Sequence, residues 1–376
     1  MASELPHTRP GGLSPAPIRK VLLLVSKRAD KIAEPLAAVG VSSEVIIGSK
    51  WSIVPKVLAR EDAIRAANVD VVIADCCGTH VSMAMMLRRL LGVPAVYRMR
   101  GNMWQEYQDK FADRDDFHAR RLVNALTAYT NYNLPHLDAI MPVAQHMADA
   151  VRAELPELRT PVMPVPIAVN ALPGPPDDLD ETRRRWAPDG RGIVASITNF
   201  RYWQKAAPML EAAPALAETL REHGLVWAIA GRGAFAGRFF DELAQRCPPE
   251  NWVRVGYIAD VSALLYTASA FLHLSEMDGL PNVIMEAQMC GCPVIANDYF
   301  AMAEMVSSEH TGLLVDTPAQ AAEGLERLLG DATLRERVVA EGRRDVQERH
   351  TNEAVGSEFV RALGEVKAAF ERRTHA

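Results

Sequence analysis

The chain has 376 residues, of which 49% are apolar and 23% are charged, and its formal net charge is −6. At roughly 150 residues per domain this length predicts two domains, and the apolar content argues against a mainly disordered chain. The acidic balance disfavours broad nucleic-acid binding, which needs excess positive charge. The five cysteines form neither a disulfide framework nor a zinc-binding pattern.

No stretch reaches the ~18 uninterrupted apolar residues that a membrane span requires. Residues 1–19 contain proline and glycine where a signal peptide needs an apolar core. We therefore expect a flexible tail over residues 1–19 and a cytoplasmic protein.

Short apolar strands alternate with helices in the first half of the chain. The predicted strands lie near residues 21–25, 43–47, 69–74, 94–99 and 139–143, and the predicted helices near 30–39, 81–91, 102–131 and 145–154. Continuously apolar strands separated by helices are typical of a parallel sheet covered on both faces. The pattern predicts a doubly wound domain over residues 20–171.

A proline-rich segment follows, with six prolines between residues 161 and 176 and an acidic run directly after them. Regular elements do not hold so many prolines. We predict that residues 172–191 connect two domains.

The alternation then restarts. Strands are predicted near residues 192–198, 225–230, 252–255, 270–274 and 293–296, with helices near 206–223, 237–246, 261–267 and 283–289 and charged helices after residue 317. This pattern predicts a second doubly wound domain over residues 192–351. Because ligands of such sheets bind beyond the carboxyl ends of the strands, we expect a site in the cleft between the domains.

The segment with the most chemical information is residues 275–296, SEMDGLPNVIMEAQMCGCPVIA. A loop after a buried strand leads into a helix that begins near Asn282 or Val283, and a helix N-terminus attracts anions. The carboxylates of Asp278 and Glu286 would repel a phosphate, but they suit ribose or sugar hydroxyls. Alternatively, Asp278 favours the helix dipole and Glu286 is a solvated helix residue, although its apolar neighbours make a simple exposed face less favourable.

This segment resembles the donor-binding signature of family 4 of the retaining glycosyltransferases, also called glycosyl transferases group 1. The matching residues are Ser275, Asp278, Gly279, Pro281, Glu286, Ala287, Cys290, Gly291, Pro293 and Val294. The resemblance covers about residues 194–315 well, including Glu304 and the Gly-Leu-Leu-Val segment at 312–315, and the first half more loosely.

Three departures from the family pattern stand out. Asp278 replaces the first glutamate of the family's acidic pair, and residues 26–28 (Ser-Lys-Arg) replace its usual glycine pair after the first strand. Residues 297–303 carry Tyr299, Phe300 and Met302 where glycines are common. These changes suit an unusual donor or acceptor, and they could also accompany lost activity.

The resemblance implies an α/β fold of the GT-B type, with two tandem Rossmann-like domains facing an interdomain cleft. The second domain would bind a nucleotide-diphosphate sugar, with UDP or GDP as the nucleotide, and residues 352–376 would pack back on the first domain. The implied activity is transfer of the sugar, with retention of configuration, to an acceptor hydroxyl in glycan, glycolipid or glycoconjugate biosynthesis. No metal or other cofactor is expected, since the cations are side chains.

The family also suggests roles for individual residues. Catalytic roles are implied for Asp278, Arg201, Lys205 and His80, donor binding for Glu286, Gly279, Leu280, Pro281, Asn282, Val283, Gly231 and Gly233, and acceptor binding for Arg100 and Gly101. Arg201 and Lys205 follow the first strand of the second domain, where fixed cations would stabilise the charge that develops on a departing diphosphate.

Several interpretations remain open at this point. His80 either orients a substrate or is a structural histidine. Arg100 either binds a phosphate or carboxylate of the acceptor or pairs with Glu106. The acceptor is a small molecule or lipid-linked, which would bring the protein to the inner face of a membrane. The rival functions are a catalytically silent GT-B binding or regulatory protein and a sugar-nucleotide epimerase.

Overall fold

A computed structural model describes residues 17–111, 116–169 and 172–375 of the chain. Within these ranges the chain forms two parallel β-sheets, each flanked by helices. The GT-B arrangement expected from the family resemblance is therefore present, with two α/β domains in tandem.

In the described part of the first half, five strands pair in parallel in the order β2-β1-β3-β4-β5. The strands are β1 Lys20–Val25, β2 Ser42–Ile47, β3 Val71–Ala74, β4 Ala95–Met99 and β5 Ala139–Pro142. The helices are α1 Asp30–Ala38, α2 Ile53–Leu58, α3 Glu61–Ala66, α4 Thr79–Leu91, α5 Met103–Lys110, α6 Phe117–Asn133 and α7 Gln145–Glu154.

The apolar run of β1 is buried on both faces of the sheet. Leu22 and Leu24 lie in the core on one side, whereas Val21, Leu23 and Val25 lie in the core on the other. Side chains alternate between the faces of a strand, so an uninterrupted apolar sequence is what a doubly covered sheet requires.

The second half contains six described strands, paired in parallel in the order β11-β10-β9-β6-β7-β8. They are β6 Gly192–Ile197, β7 Leu225–Ala230, β8 Trp252–Gly256, β9 Ala268–His273, β10 Val294–Asn297 and β11 Leu313–Val315. The helices are α8 Leu179–Arg184, α9 Ala207–Glu222, α10 Ala236–Arg246, α11 Ser262–Thr267, α12 Asn282–Cys290, α13 Phe300–Met305, α14 Ala321–Gly330, α15 Ala332–Arg349 and α16 Asn352–His375.

Helix α16 packs against α1 of the first domain. The Arg98 guanidinium lies 4.8 Å from the ring centroid of Phe359, and Lys367 forms an ion pair with Asp70 at 2.6 Å. Phe359 is fully buried in the core that also contains Val21 and Leu23. Residues that follow the second domain in the chain thus complete the core of the first.

The predicted long helix over residues 102–131 is instead two helices, α5 and α6, on either side of residues 112–115, which lie outside the described ranges. The Asp116 side chain accepts a hydrogen bond from the Ala119 N–H and so caps a new helix start. Four short helices, α2, α3, α8 and α13, were not predicted; α8 lies inside the predicted connection over residues 172–191. Among the described residues, no helix is both long enough and apolar enough to cross a bilayer.

Candidate donor and acceptor site

The order of strands in the second sheet reverses between β6 and β9. The loop after β6 holds the candidate cations Arg201 and Lys205, and the loop after β9 holds the candidate carboxylate Asp278. Chains leaving such a switch point diverge to opposite faces and leave a crevice for a ligand. Lys205 ends a 3₁₀ turn after β6, and Asp278 lies in the loop after β9. Their side chains, 15% and 11% exposed, form an ion pair in this crevice. Two residues that are 73 positions apart are thus brought together as the sequence predicts.

His273, the last residue of β9, is the second partner of Asp278. Its Nε2 atom lies 3.2 Å from Asp278 Oδ2, while Lys205 bonds to Oδ1. Burial alone would raise the pKa of Asp278, but the hydrogen bonds and charges of His273 and Lys205 outweigh burial and hold this pKa well below its usual value. Asp278 is therefore a carboxylate throughout the physiological pH range.

Helix α12 begins directly after this loop. Pro281 is its N-cap residue, and the backbone N–H groups at the start of a helix have no partners within the helix. Asn282 Oδ1 is buried without a hydrogen-bond partner among the described residues. Leu280 and Val283 are partly buried against the core beside it. The expected donor-binding residues 279–283 thus form a largely apolar loop and first turn at a helix N-terminus, with Asn282 as their one polar side chain.

Glu286 lies one turn further along α12. Burial raises the pKa of its carboxyl group, and the opposing charge of Lys31 limits that rise. Lys31 belongs to α1 of the first domain and donates a hydrogen bond to the Ala168 carbonyl at 2.7 Å. Glu286 is therefore a half-buried carboxylate that faces the first domain, and it is not a solvated helix residue.

Gly231 and Gly233, after β7, lie against the loop that follows β6. A side chain at Gly231 would collide with the Thr198 carbonyl, and one at Gly233 with the backbone of Phe200 and Arg201. Gly231 also has a φ of 140°, which favours glycine. These glycines let the two loops approach closely, and Arg201, in the loop after β6, has an exposed side chain.

The loop at Gly279 faces the first domain across the cleft. A Cβ atom at Gly279 would collide with the Arg100 carbonyl oxygen and with Met147 Cε. Gln204 also lies near Asp109 of α5, with 3.4 Å between Nε2 and Oδ1. The expected donor loop and the expected acceptor loop are therefore in direct contact.

Arg100 forms an ion pair with Asp75 rather than with Glu106. The Arg100 guanidinium lies 2.9 Å from Asp75 Oδ2, and the Asp75 side chain is only 1% exposed. Glu106 instead lies over Gly101, where any side chain would collide with its carboxylate. Glu106 has a raised pKa because of burial, against the nearby positive charges of Lys50, Lys205 and Arg100. Asp75 and Glu106 thus lie on either side of the loop that holds Arg100 and Gly101.

The pH dependence of stability should reveal the burial of Asp75. Burial raises its pKa to about 6, against the attraction of Arg100 and Arg98, and Oδ1 has no hydrogen-bond partner among the described residues. The unfolded chain loses the proton of this carboxyl group at a pKa of about 4, before the folded chain does. Between that pH and the folded pKa, the free energy of unfolding falls as the pH rises. We expect Asp75→Asn to stabilise the first domain by about 1–3 kcal/mol at pH 8 and to have little effect at pH 4.

Denaturant unfolding of both proteins at the two pH values measures this difference. Asp70 offers a matched control, because its hydrogen bonds from Lys367 and two backbone N–H groups outweigh burial and lower its pKa. Asp70→Asn should therefore destabilise the chain at pH 8. Equal or lower stability of Asp75→Asn at pH 8 would contradict the prediction.

His80 does not line the cleft, and this corrects the expectation that it contacts a substrate. The residue is fully buried, and its Nε2 atom lies 2.9 Å from the Gly48 carbonyl oxygen. It sits in the first turn of α4 and faces the loop after β2. Its position fits the structural interpretation, in which the ring joins two elements of the first domain.

Glu304 makes a contact between the domains that the sequence did not reveal. Its Oε2 accepts a hydrogen bond from the Gln145 N–H, and its Oε1 lies 2.6 Å from both the backbone N and the ring Nδ1 of His146. These donors form the N-terminus of α7 in the first domain, whereas Glu304 lies on α13 of the second. Phe300 stacks on the His146 ring at 6.2 Å. We call this contact the Glu304 clasp.

Among the residues that the structure describes, no group of three or more His, Cys, Asp or Glu side chains is arranged to hold a metal ion. That donor binding needs no metal remains a prediction of the family resemblance.

The two-domain fold with its interdomain crevice is shared with solved structures. Sucrose-phosphate synthase from Thermosynechococcus elongatus superposes with a TM-score of 0.73 and 18% identity, covering 93% of this chain and 100% of that one. HepE from Anabaena, solved in complex with UDP-glucose, superposes with a TM-score of 0.68 and 14% identity, covering 92% of this chain and 99% of HepE. The chain has the GT-B fold.

Part of the chain is also similar in sequence to a known protein family. The family model described as "Glycosyl transferases group 1" matches residues 178–345. A protein named as a glycosyltransferase, ORF31 of a virus (isolate Australia/Victoria), is 27% identical over 290 residues, which cover 77% of this chain and 83% of that protein. Residues 178–345 therefore resemble the glycosyl transferases of group 1, and a longer part of the chain resembles a protein named as a glycosyltransferase.

Proposed function

We propose that this chain is a family 4 retaining glycosyltransferase that moves a sugar from a nucleotide-diphosphate sugar to an acceptor hydroxyl. The observation that carries the proposal is the ion pair of Lys205 and Asp278 at the switch point of the second sheet, beside the N-terminus of α12. A cation, a carboxylate and a helix N-terminus in one crevice suit a ligand that carries both phosphates and hydroxyls.

In this proposal each group acts on one part of the donor. Lys205 and Arg201 neutralise the diphosphate, the N-terminus of α12 faces its oxygens, and Glu286 accepts hydrogen bonds from ribose hydroxyls. Asp278 accepts a hydrogen bond from the sugar. The glycosidic bond to the phosphate breaks, the acceptor oxygen bonds to the same face of the anomeric carbon, and its proton goes to the departing phosphate oxygen.

The donor can be identified with a panel of nucleotides. HepE was solved with UDP-glucose, so UDP and GDP, with their glucose and mannose forms, are the probes to begin with. We expect at least one nucleotide to raise the melting temperature, because ligands that bind only the folded state stabilise it. If none does, the donor site is refuted. Turnover of donor alone would instead favour an epimerase, and binding without turnover a silent binding protein.

Glu286 provides a test of the ribose contact. Glu286→Gln should weaken UDP or GDP binding about tenfold, because a charged hydrogen bond to a hydroxyl is worth about 1.5–3 kcal/mol. Titration calorimetry with UDP, 2′-deoxy-UDP and 3′-deoxy-UDP measures the effect; the guanosine series serves if GDP is the ligand. In the wild type one deoxy form should bind more weakly, and in the variant this preference should disappear. A variant that still prefers the ribose form would remove Glu286 from the ribose site.

We also propose a peripheral membrane contact through helix α6 of the first domain. Its outward face exposes Phe117, Leu122, Tyr129 and Tyr132, at 66%, 46%, 39% and 70% of their surfaces, and the helix contains no Asp or Glu. A groove of about 860 Å³ adjoins it, lined by methionine, leucine and arginine side chains of α4. Aromatic groups beside cations suit the surface of an anionic bilayer.

Vesicle co-sedimentation tests the membrane contact. The protein should sediment with phosphatidylglycerol vesicles more than with phosphatidylcholine vesicles, and Phe117→Ser with Tyr132→Ser should reduce this binding. The matched control replaces two exposed apolar residues elsewhere, Leu58 and Leu179, by serine. Equal sedimentation of the wild type, the variant and the control would contradict the membrane contact. The exposed face of α6 would then be a candidate surface for a protein partner.

A further inference from the structure

His273 is a polar residue in an otherwise small or apolar strand, ASAFLH, and it sits at the centre of the second sheet. Strand β9 is paired on both sides, with β6 and β10, so the position of His273 is fixed by the sheet. Its ring is nearly parallel to that of Phe271, two residues earlier on the same face, with 6.0 Å between centroids. The residue is 5% exposed. This buried imidazole is therefore a rigid group rather than a mobile surface histidine.

The two oxygens of Asp278 have different partners. His273 Nε2 lies 3.2 Å from Oδ2, and the Lys205 ammonium bonds to Oδ1. Lys205 is the cation that the proposed function assigns to the diphosphate. When its ammonium turns to a phosphate, Oδ1 becomes available, while Oδ2 keeps its bond to a group that the sheet holds in place.

The length of the side chain makes this arrangement important. Aspartate is one methylene shorter than the glutamate usual at this position, so its carboxylate reaches less far from the loop. A shorter side chain has less freedom to find a hydroxyl, and its orientation depends on what it is bound to. A carboxylate held at one oxygen presents the other in a fixed direction, and such preorganised acceptors bind at a lower entropic cost.

We propose that His273 is a positioning residue: it holds Asp278 Oδ2 so that Oδ1, released by Lys205, accepts a hydrogen bond from a hydroxyl of the donor sugar. This inference rests on the proposed function and adds to it a residue that determines the binding of the sugar. His273 does not touch the sugar, and it acts through Asp278.

The test measures the ratio of the affinity for a sugar nucleotide to the affinity for the bare nucleotide. Calorimetry on the full chain gives both affinities, with UDP and UDP-glucose and with GDP and GDP-mannose. The ratio reports the contribution of the sugar contact alone. His273→Met removes the N–H donor but keeps the bulk, and it should lower the ratio about tenfold while leaving the affinity for the bare nucleotide unchanged. His273→Gln keeps a donor of similar reach and should recover most of the ratio.

A double-mutant cycle separates positioning from mere packing. In the Asp278→Glu background the longer carboxylate reaches the sugar without help, so His273→Met should change the ratio by less than about twofold. An equal loss in both backgrounds would show that His273 only stabilises the fold, and it would overturn the inference. Melting temperatures verify that each variant is folded, and His273→Gln carries the test if His273→Met is not.

The outcomes distinguish this inference from the proposed function. If the wild type binds neither nucleotide, the proposed function fails and the inference falls with it. If the wild type prefers the sugar nucleotide and His273→Met keeps that preference, the donor site stands and the role of His273 alone is refuted. If the wild type binds bare and sugar nucleotides equally well, Asp278 holds no sugar and the inference is also overturned.

Discussion

Lys205→Ala should lower turnover by about two to three orders of magnitude, the loss typical when one preorganised group facing developing charge is removed. Lys205 is only 15% exposed and lies in the crevice where the diphosphate is proposed to sit. In this partly dry site its charge is less screened than on the surface, and its attraction for the phosphate grows as the glycosidic bond breaks and negative charge accumulates. The effect should therefore fall mainly on kcat, with a smaller effect on nucleotide affinity.

Nucleotide release by the donor that the panel identifies measures this effect. Lys56→Ala is the matched control, because Lys56 is an exposed lysine on α2 whose ammonium bonds to the Ile47 carbonyl. Lys205→Arg should retain part of the activity, since it keeps the charge with a different shape. Turnover of Lys205→Ala within threefold of the wild type would remove Lys205 from the reaction.

Glu304→Ala should lower turnover about 10–100-fold while leaving nucleotide affinity nearly unchanged, since a misplacement of about 1 Å can cost this much. The Glu304 clasp joins the second domain to the N-terminus of α7, where the carboxylate meets both backbone N–H groups and the positive end of the helix dipole. Without it the domains should separate more readily, and the acceptor side would no longer be held against Gly279.

Small-angle scattering should show a larger radius of gyration for Glu304→Ala, with Glu309→Ala as the matched control. Glu309 is an exposed glutamate of the same segment whose partner, Arg327, belongs to the second domain. Burial raises the pKa of the Glu304 carboxyl group, but hydrogen bonds from His146 and Gln145 outweigh burial and lower this pKa. The stabilisation is therefore present above pH ~4.3 and is lost as the pH falls through the lowered pKa. Unchanged scattering and unchanged turnover would show that the clasp has no role in domain closure.

The strands and the long helices were predictable because their signal is local. Continuous apolar runs such as residues 21–25 and 225–230 can satisfy burial on both faces only as inner strands of a covered sheet. The short helices α2, α3, α8 and α13 have six residues each, which gives fewer than two turns and a weak periodic signal, although α11, of the same length, was predicted. Their ends depend on tertiary packing rather than on a pattern in the sequence.

The meeting of Lys205 with Asp278 was predictable from the sequence, whereas the contacts across the cleft were not. Lys205 and Asp278 meet because both follow strands at the switch point, which a parallel sheet requires. The pairing of Arg100 with Asp75 depends on the register of β3 against β4, and the sequence suggested Glu106 as the partner instead. His273 did have a signal, a polar residue within a buried strand, which asks for a hydrogen-bond partner.

The packing of α16 on the first domain has a consequence for synthesis of the protein on the ribosome. Phe359 and Leu363 belong to the same core as Val21 and Leu23, so that core cannot close until residues more than 300 positions later have emerged. The second domain, whose sheet is contiguous in sequence from β6 to β11, can fold earlier. During translation the first domain therefore waits with an uncovered apolar face, and this interval is when the nascent chain is most exposed to aggregation and to chaperone binding.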